Sequence, residues 1–254
     1  MQKVRVTVIT VCFNAAETIE KTIRSVLDQT YPSIEYIVVD GASTDGTMGI
    51  VSRYTEHIDK IASERDDGIY DAMNKGTRLA TGDVVYFLNA DDRFCDDEVL
   101  TDVASAFEAD RSRTVVYGNV RPEKVPDHIR PFLKDEYQIN TANDFIYFTL
   151  CHQAVFARKS LFSQIGGFNC RYKFAADYEW LIRAFKFRPS GFFYMKRDIA
   201  NYYYLGRSYA GDSVTRREKT AIQAKHLFSL EFILYYIRYV VIRGMKKKLL
   251  NEAF

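Results

Sequence analysis

An acidic cluster in the sequence could bind a metal ion and assist chemistry at a diphosphate. Asp91 and Asp92 follow Asn89 and Ala90 at the end of one apolar run, and Asp40 ends another. A hard divalent cation prefers carboxylate oxygens, and it neutralises the negative charge that grows on a diphosphate leaving group. Asp91 and Asp92 are therefore the predicted ligands of Mn2+ or Mg2+, with a solvated Asp-Asp turn as the alternative.

The elements that must position these carboxylates alternate between strands and helices. Four apolar runs are predicted strands, at residues 4–13, 34–39, 58–62 and 84–88. Helices between them, such as residues 68–80, predict an α/β fold with a mostly parallel sheet covered on both faces. Asp40 and Asp91 would then follow the carboxyl ends of two strands, the edge where open parallel sheets bind ligands.

The second half of the chain is predicted to build the acceptor side. Residues 115–117 and 150–157 are predicted strands, and residues 121–144, rich in proline and charge, are a predicted loop. Helices are predicted at residues 159–165 and 175–185. The aromatic residues that crowd the chain after residue 145 fit either a buried core or a sugar-stacking surface.

Four segments in this order resemble a known family. TVCFNAAETIEKTIRSVLDQTYP, YIVVDGASTDGT, ERDDGIYDAMNKG and FLNADD resemble the family 2 glycosyltransferases of GT-A fold, over about residues 4–215. The resemblance implies a metal-dependent inverting enzyme of cell-surface polysaccharide synthesis. Such an enzyme moves a sugar from a nucleoside-diphosphate sugar to a hydroxyl of a glycan or lipid-linked glycan. It also implies a Rossmann-like GT-A domain at residues 1–215 and a helical appendage at residues 216–254.

The same resemblance implies which residues hold the donor. Asp40 is similar to a carboxylate that hydrogen-bonds the nucleotide base or ribose, and Asp66, rather than its neighbour Asp67, is similar to a second one. The other donor-binding residues implied are Thr10, Phe13, Asn14, Asn74, Asn89, Asp91 and His152.

The metal motif departs from the family pattern. The family's DxD stands here as Asn89-Ala90-Asp91, followed by Asp92, so an amide replaces the first carboxylate. An amide oxygen can still accept a hydrogen bond from ribose or bind a metal weakly. We therefore expect Asp91 to be the direct ligand, with Asp92 beside it, and the metal affinity to be modest.

Inverting transfer needs a general base that takes the proton of the acceptor hydroxyl as its oxygen attacks the anomeric carbon. The segment KFAADYEWLIRAF resembles the loop and helix that carry this base in relatives, and it nominates Asp177. Glu179 is the rival, although its side chain would lie on another face of the helix. His152 and Gln153 resemble residues near the donor sugar, and the arginines around YAGDSVT resemble a loop that closes over the diphosphate.

Composition and motifs argue against other classes. The 35 basic and 33 acidic residues are too balanced for a protein that binds nucleic acid. The four cysteines show no zinc spacing, and no cleavable signal peptide is apparent, so we expect a cytoplasmic protein. The phosphate loops GxGxxG and GxxxxGK[ST] are absent, and FNAAET stands where a nucleotidyltransferase would need a glycine-rich basic loop.

The C-terminal segment has a different character. Residues 227–242 are almost wholly apolar or aromatic, and Arg243 and Lys246, Lys247 and Lys248 follow. The run is too short and too charged to span a bilayer. A helix on the inner face of the cytoplasmic membrane, packing on the protein's own domain, and a homodimer contact all fit. The functional alternative is a non-catalytic, glycosyltransferase-like partner of a membrane-associated enzyme, which Asn89 alone supports.

Overall fold

An eight-stranded mixed sheet is the frame of this computed structural model, which describes residues 3–125, 138–203 and 212–238. The strand order is β3-β2-β1-β4-β7-β6-β8-β5. In chain order the strands are β1 (Val6–Cys12), β2 (Ile34–Asp40), β3 (Lys60–Ser63), β4 (Val84–Phe87), β5 (Arg93–Phe94), β6 (Val115–Glu123), β7 (Val155–Arg158) and β8 (Phe192–Tyr203).

Helices cover this sheet on both faces. Over the described residues they are α1 (Ile19–Leu27), α2 (Thr47–Val51), α3 (Ile69–Leu79), α4 (Val99–Ala109), α5 (Asp144–Tyr147), α6 (Lys159–Ile165), α7 (Ala176–Phe187) and α8 (Asp212–His226). In the same described part of the chain, three short 3-10 helices join them, Ser52–His57, His152–Ala154 and Pro189–Gly191. The predicted α/β fold with helices on both faces is confirmed.

The first four strands along the chain are parallel, with β1 between β2 and β4 and with β3 beyond β2. Alternate residues of β1 face opposite sides, as the period of a strand requires. Ile9 and Val11 join the core under α3 and α7, whereas Val6 and Val8 join the core under α1 and α4. Burial on both faces explains why these strands read as continuous apolar runs.

The second half of the sheet is less regular than the sequence predicts. β7 is antiparallel to both β4 and β6, and β8 runs parallel to β6. The strand expected at residues 150–157 begins only at Val155, because His152–Ala154 forms a 3-10 turn. β6 extends to Glu123, within the predicted loop, because its main chain pairs with β8, a strand that the sequence reading missed.

The C-terminal part packs against the rest of the protein. Ile222, Leu227 and Phe232 are buried in the same core as the residues of α7. The chain is helical again over residues 230–238. Within the described residues, no helix is both long and apolar enough to cross a bilayer. The division into domains at residue 215 stays a prediction.

Candidate active site

The loops after β1, β2 and β4 meet at the carboxyl edge of the sheet. Asn14 ties two of them together: its backbone N–H donates to Ser43 Oγ at 2.8 Å, and its Oδ1 accepts from the Thr44 N–H at 2.9 Å. Asn14 (φ 50°) and Ala42 (φ 62°) both have left-handed backbones, which non-glycine residues adopt rarely and often at functional sites. Asn14 therefore shapes the edge of the predicted donor pocket.

Asp40 organises the loop that follows β2. Its carboxylate is fully buried and accepts hydrogen bonds from the Ser43 N–H at 3.1 Å and from Ser63 Oγ at 2.7 Å. The Ser43 hydroxyl donates to it as well. Asp40 therefore lies at the predicted edge, but its oxygens already have protein donors. Its contact with the nucleotide sugar stays a prediction. That contact would require the nucleotide to replace the hydrogen bond from Ser43 or Ser63.

Asp66 and Phe13 lie together beside Gly41. Asp66 Oδ1 accepts from the Gly68 N–H at 2.9 Å, and its other oxygen lies so close to Gly41 that a Cβ there would collide with it. The Phe13 ring borders the same glycine and is 47% exposed. A partly exposed carboxylate next to an open aromatic face suits a nucleoside, which offers hydrogen-bond donors and a ring to stack.

Two predicted donor-binding side chains make hydrogen bonds within the protein, and their roles at the donor stay predictions. Thr10 is fully buried, and its hydroxyl pairs with the Tyr36 hydroxyl at 3.1 Å, because its place in β1 directs the side chain into the core. Asn74 faces the chain before α7. Its Oδ1 accepts from the Phe168 N–H and its Nδ2 donates to the Phe168 carbonyl, both at 2.9 Å. Both of these side chains thus have protein partners in the structure.

The loop after β4 exposes one of the two predicted metal ligands. Asp91 is exposed, whereas Asp92 is only 3% exposed, and its backbone carbonyl accepts from Thr22 Oγ1 at 2.7 Å. The turn that exposes Asp91 directs the next side chain inward, and the role of Asp92 as a direct ligand stays a prediction. No group of three metal-binding side chains occurs within residues 3–125, 138–203 and 212–238.

The chemistry of this loop still fits a divalent cation that the substrate helps to bind. Mg2+ is commonly held by one or two carboxylates together with substrate phosphates and water. Asp91 supplies an accessible carboxylate, and Asn89 Oδ1 is a buried acceptor to which no described group donates. An acceptor without a donor is costly, so Asn89 Oδ1 has capacity for a ligand. Asp91 would hold the metal, and Asn89 would contact either the metal or the ribose.

A chain of hydrogen bonds links this loop to the predicted base. Asn89 Nδ2 lies 2.9 Å from His152 Nε2, and His152 Nδ1 lies 3.2 Å from Asp177 Oδ2. The Tyr70 hydroxyl donates to Asp177 Oδ1 at 2.9 Å. With the Asn89 amide donating to Nε2, the imidazole carries its proton on Nδ1 and donates it to Asp177. The structure thus brings together three predicted site residues, Asn89, His152 and Asp177. Tyr70, which was not predicted, joins them.

The charges within this chain support one another. Burial favours the neutral carboxyl of Asp177, but the hydrogen bonds from His152 and the Tyr70 hydroxyl hold the pKa of Asp177 below its ordinary value. Burial likewise opposes the charged imidazole, yet Asp177 raises the pKa of His152. Burial and the Asp177 charge raise the pKa of Tyr70 well above 10, so it stays a donor. Asp177 is therefore ionised and fixed in orientation.

The rival base is directed away from this chain. Glu179 is 2% exposed, and its carboxylate accepts from Arg183 Nε at 2.8 Å. His226 Nε2 of α8 lies 3.2 Å from its other oxygen. Glu179 lies two positions beyond Asp177 in α7, so its side chain is on the opposite side of the helix. There it contacts His226 and joins α7 to α8.

The sequence reading missed the residues that support the site through long-range contacts. Tyr70 belongs to one of the family-like segments, but nothing local indicates that it reaches Asp177. Ser63 and Glu218 give no local signal either, because their partners are distant in the sequence. Of the predicted closing loop, Arg207 and residues 209–211 of YAGDSVT lie outside the described residues, whereas residues 212–215 and the following Arg216 and Arg217 belong to α8.

Comparison with known proteins decides which family shares this site. The sequence profile described as glycosyl transferase family 2 matches residues 7–166. The chain belongs to this family. Among relatives of this family 2 chain, a PGL/p-HBAD biosynthesis glycosyltransferase of Mycobacterium bovis is 32% identical over 196 residues, which is 76% of this chain and 74% of the relative. The protein is accordingly an enzyme, a glycosyltransferase.

Solved structures share the GT-A fold of this family 2 enzyme. S. aureus TarS, residues 1–349, aligns with a TM-score of 0.68 at 19% identity, covering 94% of this chain and 74% of that one. A Pyrobaculum calidifontis mannosyltransferase in complex with GDP-Man and Mn2+ aligns with a TM-score of 0.62 at 24% identity, covering 94% of this chain and 65% of that one. At these identities the likeness shows the fold alone.

Proposed function

We propose that this glycosyltransferase takes a sugar from a nucleoside-diphosphate sugar and transfers it, with inversion, to a hydroxyl of a glycan or glycolipid. Asp91 would hold Mn2+ or Mg2+, and Asp177 would be the general base. The observation that carries the proposal is the position of His152. One imidazole contacts both Asn89, on the predicted metal loop, and Asp177. Leaving group and base would therefore lie at opposite ends of one rigid chain.

Nucleotide-sugar complexes of structural neighbours support this choice of donor. TarS has been crystallised with UDP-GlcNAc, and the P. calidifontis enzyme with GDP-Man and Mn2+. The exposed Asp91 and the pairing of Asp66 with Phe13 suit the diphosphate and the nucleoside of such a donor. Bound to Asp91, a divalent cation would neutralise the charge of the leaving diphosphate.

The transfer step assigns Asp177 one task. As the acceptor oxygen forms its bond to the anomeric carbon, the bond from that carbon to the diphosphate oxygen breaks and its electron pair leaves with the diphosphate. The hydroxyl proton passes to the Asp177 carboxylate. His152 and Tyr70 hold that carboxylate in place during the step, so that the geometry is set before the substrates meet.

A donor panel tests this function. UDP-GlcNAc, UDP-glucose, UDP-galactose and GDP-mannose are each added with and without MnCl2, and thermal unfolding and donor hydrolysis are followed. A donor present at about 100 times its Kd stabilises the folded state by about 2.7 kcal/mol. We expect one donor to stabilise the wild type only with Mn2+, and Asp91→Ala to lose that effect. Stabilisation by no donor under either condition would contradict the proposal.

We further propose that the acceptor is reached at an anionic membrane surface. One side of the helix at residues 230–238, the C-terminal apolar face, consists of Leu230, Ile233, Leu234 and Ile237. Leu230 is 71% exposed, while Phe232, on the other side, is buried. Basic residues at positions 243 and 246–248 follow in the sequence. Apolar contact together with basic charge is the combination that binds interfacial helices to anionic lipid.

Vesicle sedimentation tests the membrane proposal. We expect the wild type to sediment with vesicles containing phosphatidylglycerol, less so at high salt, and not with phosphatidylcholine alone. The double variant Leu230→Asp with Leu234→Asp should stay in solution. Phe187→Asp, which changes a 54% exposed residue at the end of α7, is the matched control and should still bind. Dimerisation in sedimentation velocity without vesicle binding would instead assign this face to a homodimer.

A further inference from the structure

The chain leading into α7 has three backbone N–H groups that point the same way. α7 begins at Ala176 after Ala175, whose side chain cannot accept a hydrogen bond, and Asp177 is its second residue. Successive N–H groups that converge in this manner form a positively polarised concavity that favours an anion. The position of Asp177 depends on what fills this concavity, because no side chain of the loop itself caps the helix.

The anion is the carboxylate of Glu218 on α8. Its Oε1 accepts from the Lys173 N–H at 2.7 Å, and its Oε2 accepts from the Phe174 N–H at 2.9 Å and the Ala175 N–H at 3.1 Å. Hydrogen bonds to an ionised acceptor are stronger than neutral ones. A single side chain therefore fixes three consecutive residues directly before the base-bearing helix.

α8 is itself held firmly on the body of the protein. Gln223 Nε2 donates to the Tyr178 hydroxyl at 3.0 Å, and Lys219 Nζ donates to Thr149 Oγ1 at 3.1 Å. Ile222, on the same side of α8, is fully buried. Glu218 thus links the loop at residues 173–175 to α8, a helix whose own position is fixed by packing. Both α7 and α8 lie beyond the family match at residues 7–166.

We propose that Glu218 is a positioning residue for Asp177. By holding residues 173–175, it sets where α7 begins and hence the direction in which the Asp177 carboxylate meets His152 and the acceptor hydroxyl. The proposal rests on the proposed role of Asp177 as the base. It assigns to α8 a task in the transfer step, in addition to its part in the core.

The test compares Glu218→Ala with Lys225→Ala, a change of an exposed charged residue on the same helix. The first readout needs no substrate: the ring 15N signals of His152, assigned with His152→Gln, report its contact with Asp177. We expect these signals to shift in Glu218→Ala and to match the wild type in Lys225→Ala. The second readout is donor hydrolysis with Mn2+, using UDP-GlcNAc and GDP-mannose.

We expect Glu218→Ala to lower the kcat of hydrolysis by about 10- to 100-fold, the loss that a displacement of about 1 Å produces. The donor Kd should stay unchanged, because the loops after β1, β2 and β4 are untouched. Glu218→Gln, which keeps an acceptor oxygen, should lose less. Glu218→Gln is also measured if the alanine variant does not fold.

The outcomes separate the two proposals. Wild-type His152 signals in a folded Glu218 variant would overturn the positioning role, whatever the donor results. A loss of turnover that is fully explained by the fraction of unfolded protein would overturn the positioning role too. Shifted His152 signals in an enzyme that binds no donor would support the positioning role and contradict the proposed function instead.

Discussion

Both oxygens of the Asp177 carboxylate are held by hydrogen bonds, one to His152 and the other to Tyr70. Replacing Asp177 by asparagine keeps the shape and removes the basic oxygen. We expect Asp177→Asn to lower kcat by about 100- to 10,000-fold, the usual contribution of a general base. Donor affinity, measured by calorimetry with Mn2+, should be retained. Glu56→Gln, an exposed carboxylate on the 3-10 helix after α2, is the control.

Asn89 replaces the first carboxylate of the DxD pattern, and its contact with His152 gives a reason for the replacement. Its amide donates to His152 Nε2, which an aspartate could not do. We expect Asn89→Asp to bind Mn2+ more tightly, since a second carboxylate joins Asp91, but to lower kcat, since the imidazole loses the donor that sets its tautomer. Titration with Mn2+ and turnover measure the two effects separately. A variant with both tighter metal and faster turnover would refute this explanation of Asn89.

At the level of single elements, α3 lies very close to β1. A Cβ added to Gly76 would lie 2.5 Å from Ile9 Cγ2 and 3.4 Å from Val39 Cγ2. We expect Gly76→Ala to destabilise the protein by about 1–3 kcal/mol through overpacking. Gly49→Ala in α2, where a Cβ meets nothing within 4 Å, should instead stabilise by about 0.5–1 kcal/mol. Urea unfolding of both variants provides the comparison.

A buried carboxylate joins β1, β2, β3 and the turn before β4 at the amino-terminal end of the sheet. Glu35 is 1% exposed and accepts from Thr7 Oγ1 at 2.6 Å, Lys60 Nζ at 2.8 Å and the Thr81 N–H at 2.7 Å. Burial alone would raise the pKa of Glu35, but these hydrogen bonds outweigh it and lower the pKa from 4.5 to about 2.

That lowered pKa gives a prediction for acid stability. Because the folded pKa lies below the unfolded one, the stabilisation is complete above pH 4.5 and is lost as the pH falls towards 2. The loss is about 3 kcal/mol, at 1.36 kcal/mol per unit. We expect the difference in unfolding free energy between wild type and Glu35→Gln to shrink by about that amount over this range. A difference that stays constant with pH would show that Glu35 does not titrate there.

Over the whole molecule, the sequence predicted the parallel half well and the rest less well. β1, β2 and β4 are buried on both faces, so each could be predicted as a strand from its own apolar residues alone. β8 and the end of β6 stabilise one another across a large sequence separation, and Pro122 within β6 argued against a strand. Local pattern could not show that pairing.

The candidate site divides in the same way. Asp40 and Asp91 follow strand ends that the pattern located, whereas Asp66, Asp177 and His152 came from the family resemblance. The missed contacts join residues that are far apart in the sequence, and Tyr70 and Asp177 are 107 positions apart. Thr10 and Asn74 were assigned to the pocket by the family resemblance, whereas the directions of their side chains depend on β1 and α3 as folded.

The paired hydrogen bonds between Asn74 and Phe168 bear on the construction of hybrid enzymes. They connect α3 to the loop that precedes α7, the helix that carries the proposed base, and a Cβ at Gly167 would collide with the Asn74 side chain. A chimera that takes its acceptor half from another family member, with a crossover between these positions, must therefore inherit a compatible residue at 74 and glycine at 167. Without them, exchange of acceptor specificity would displace Asp177 as well.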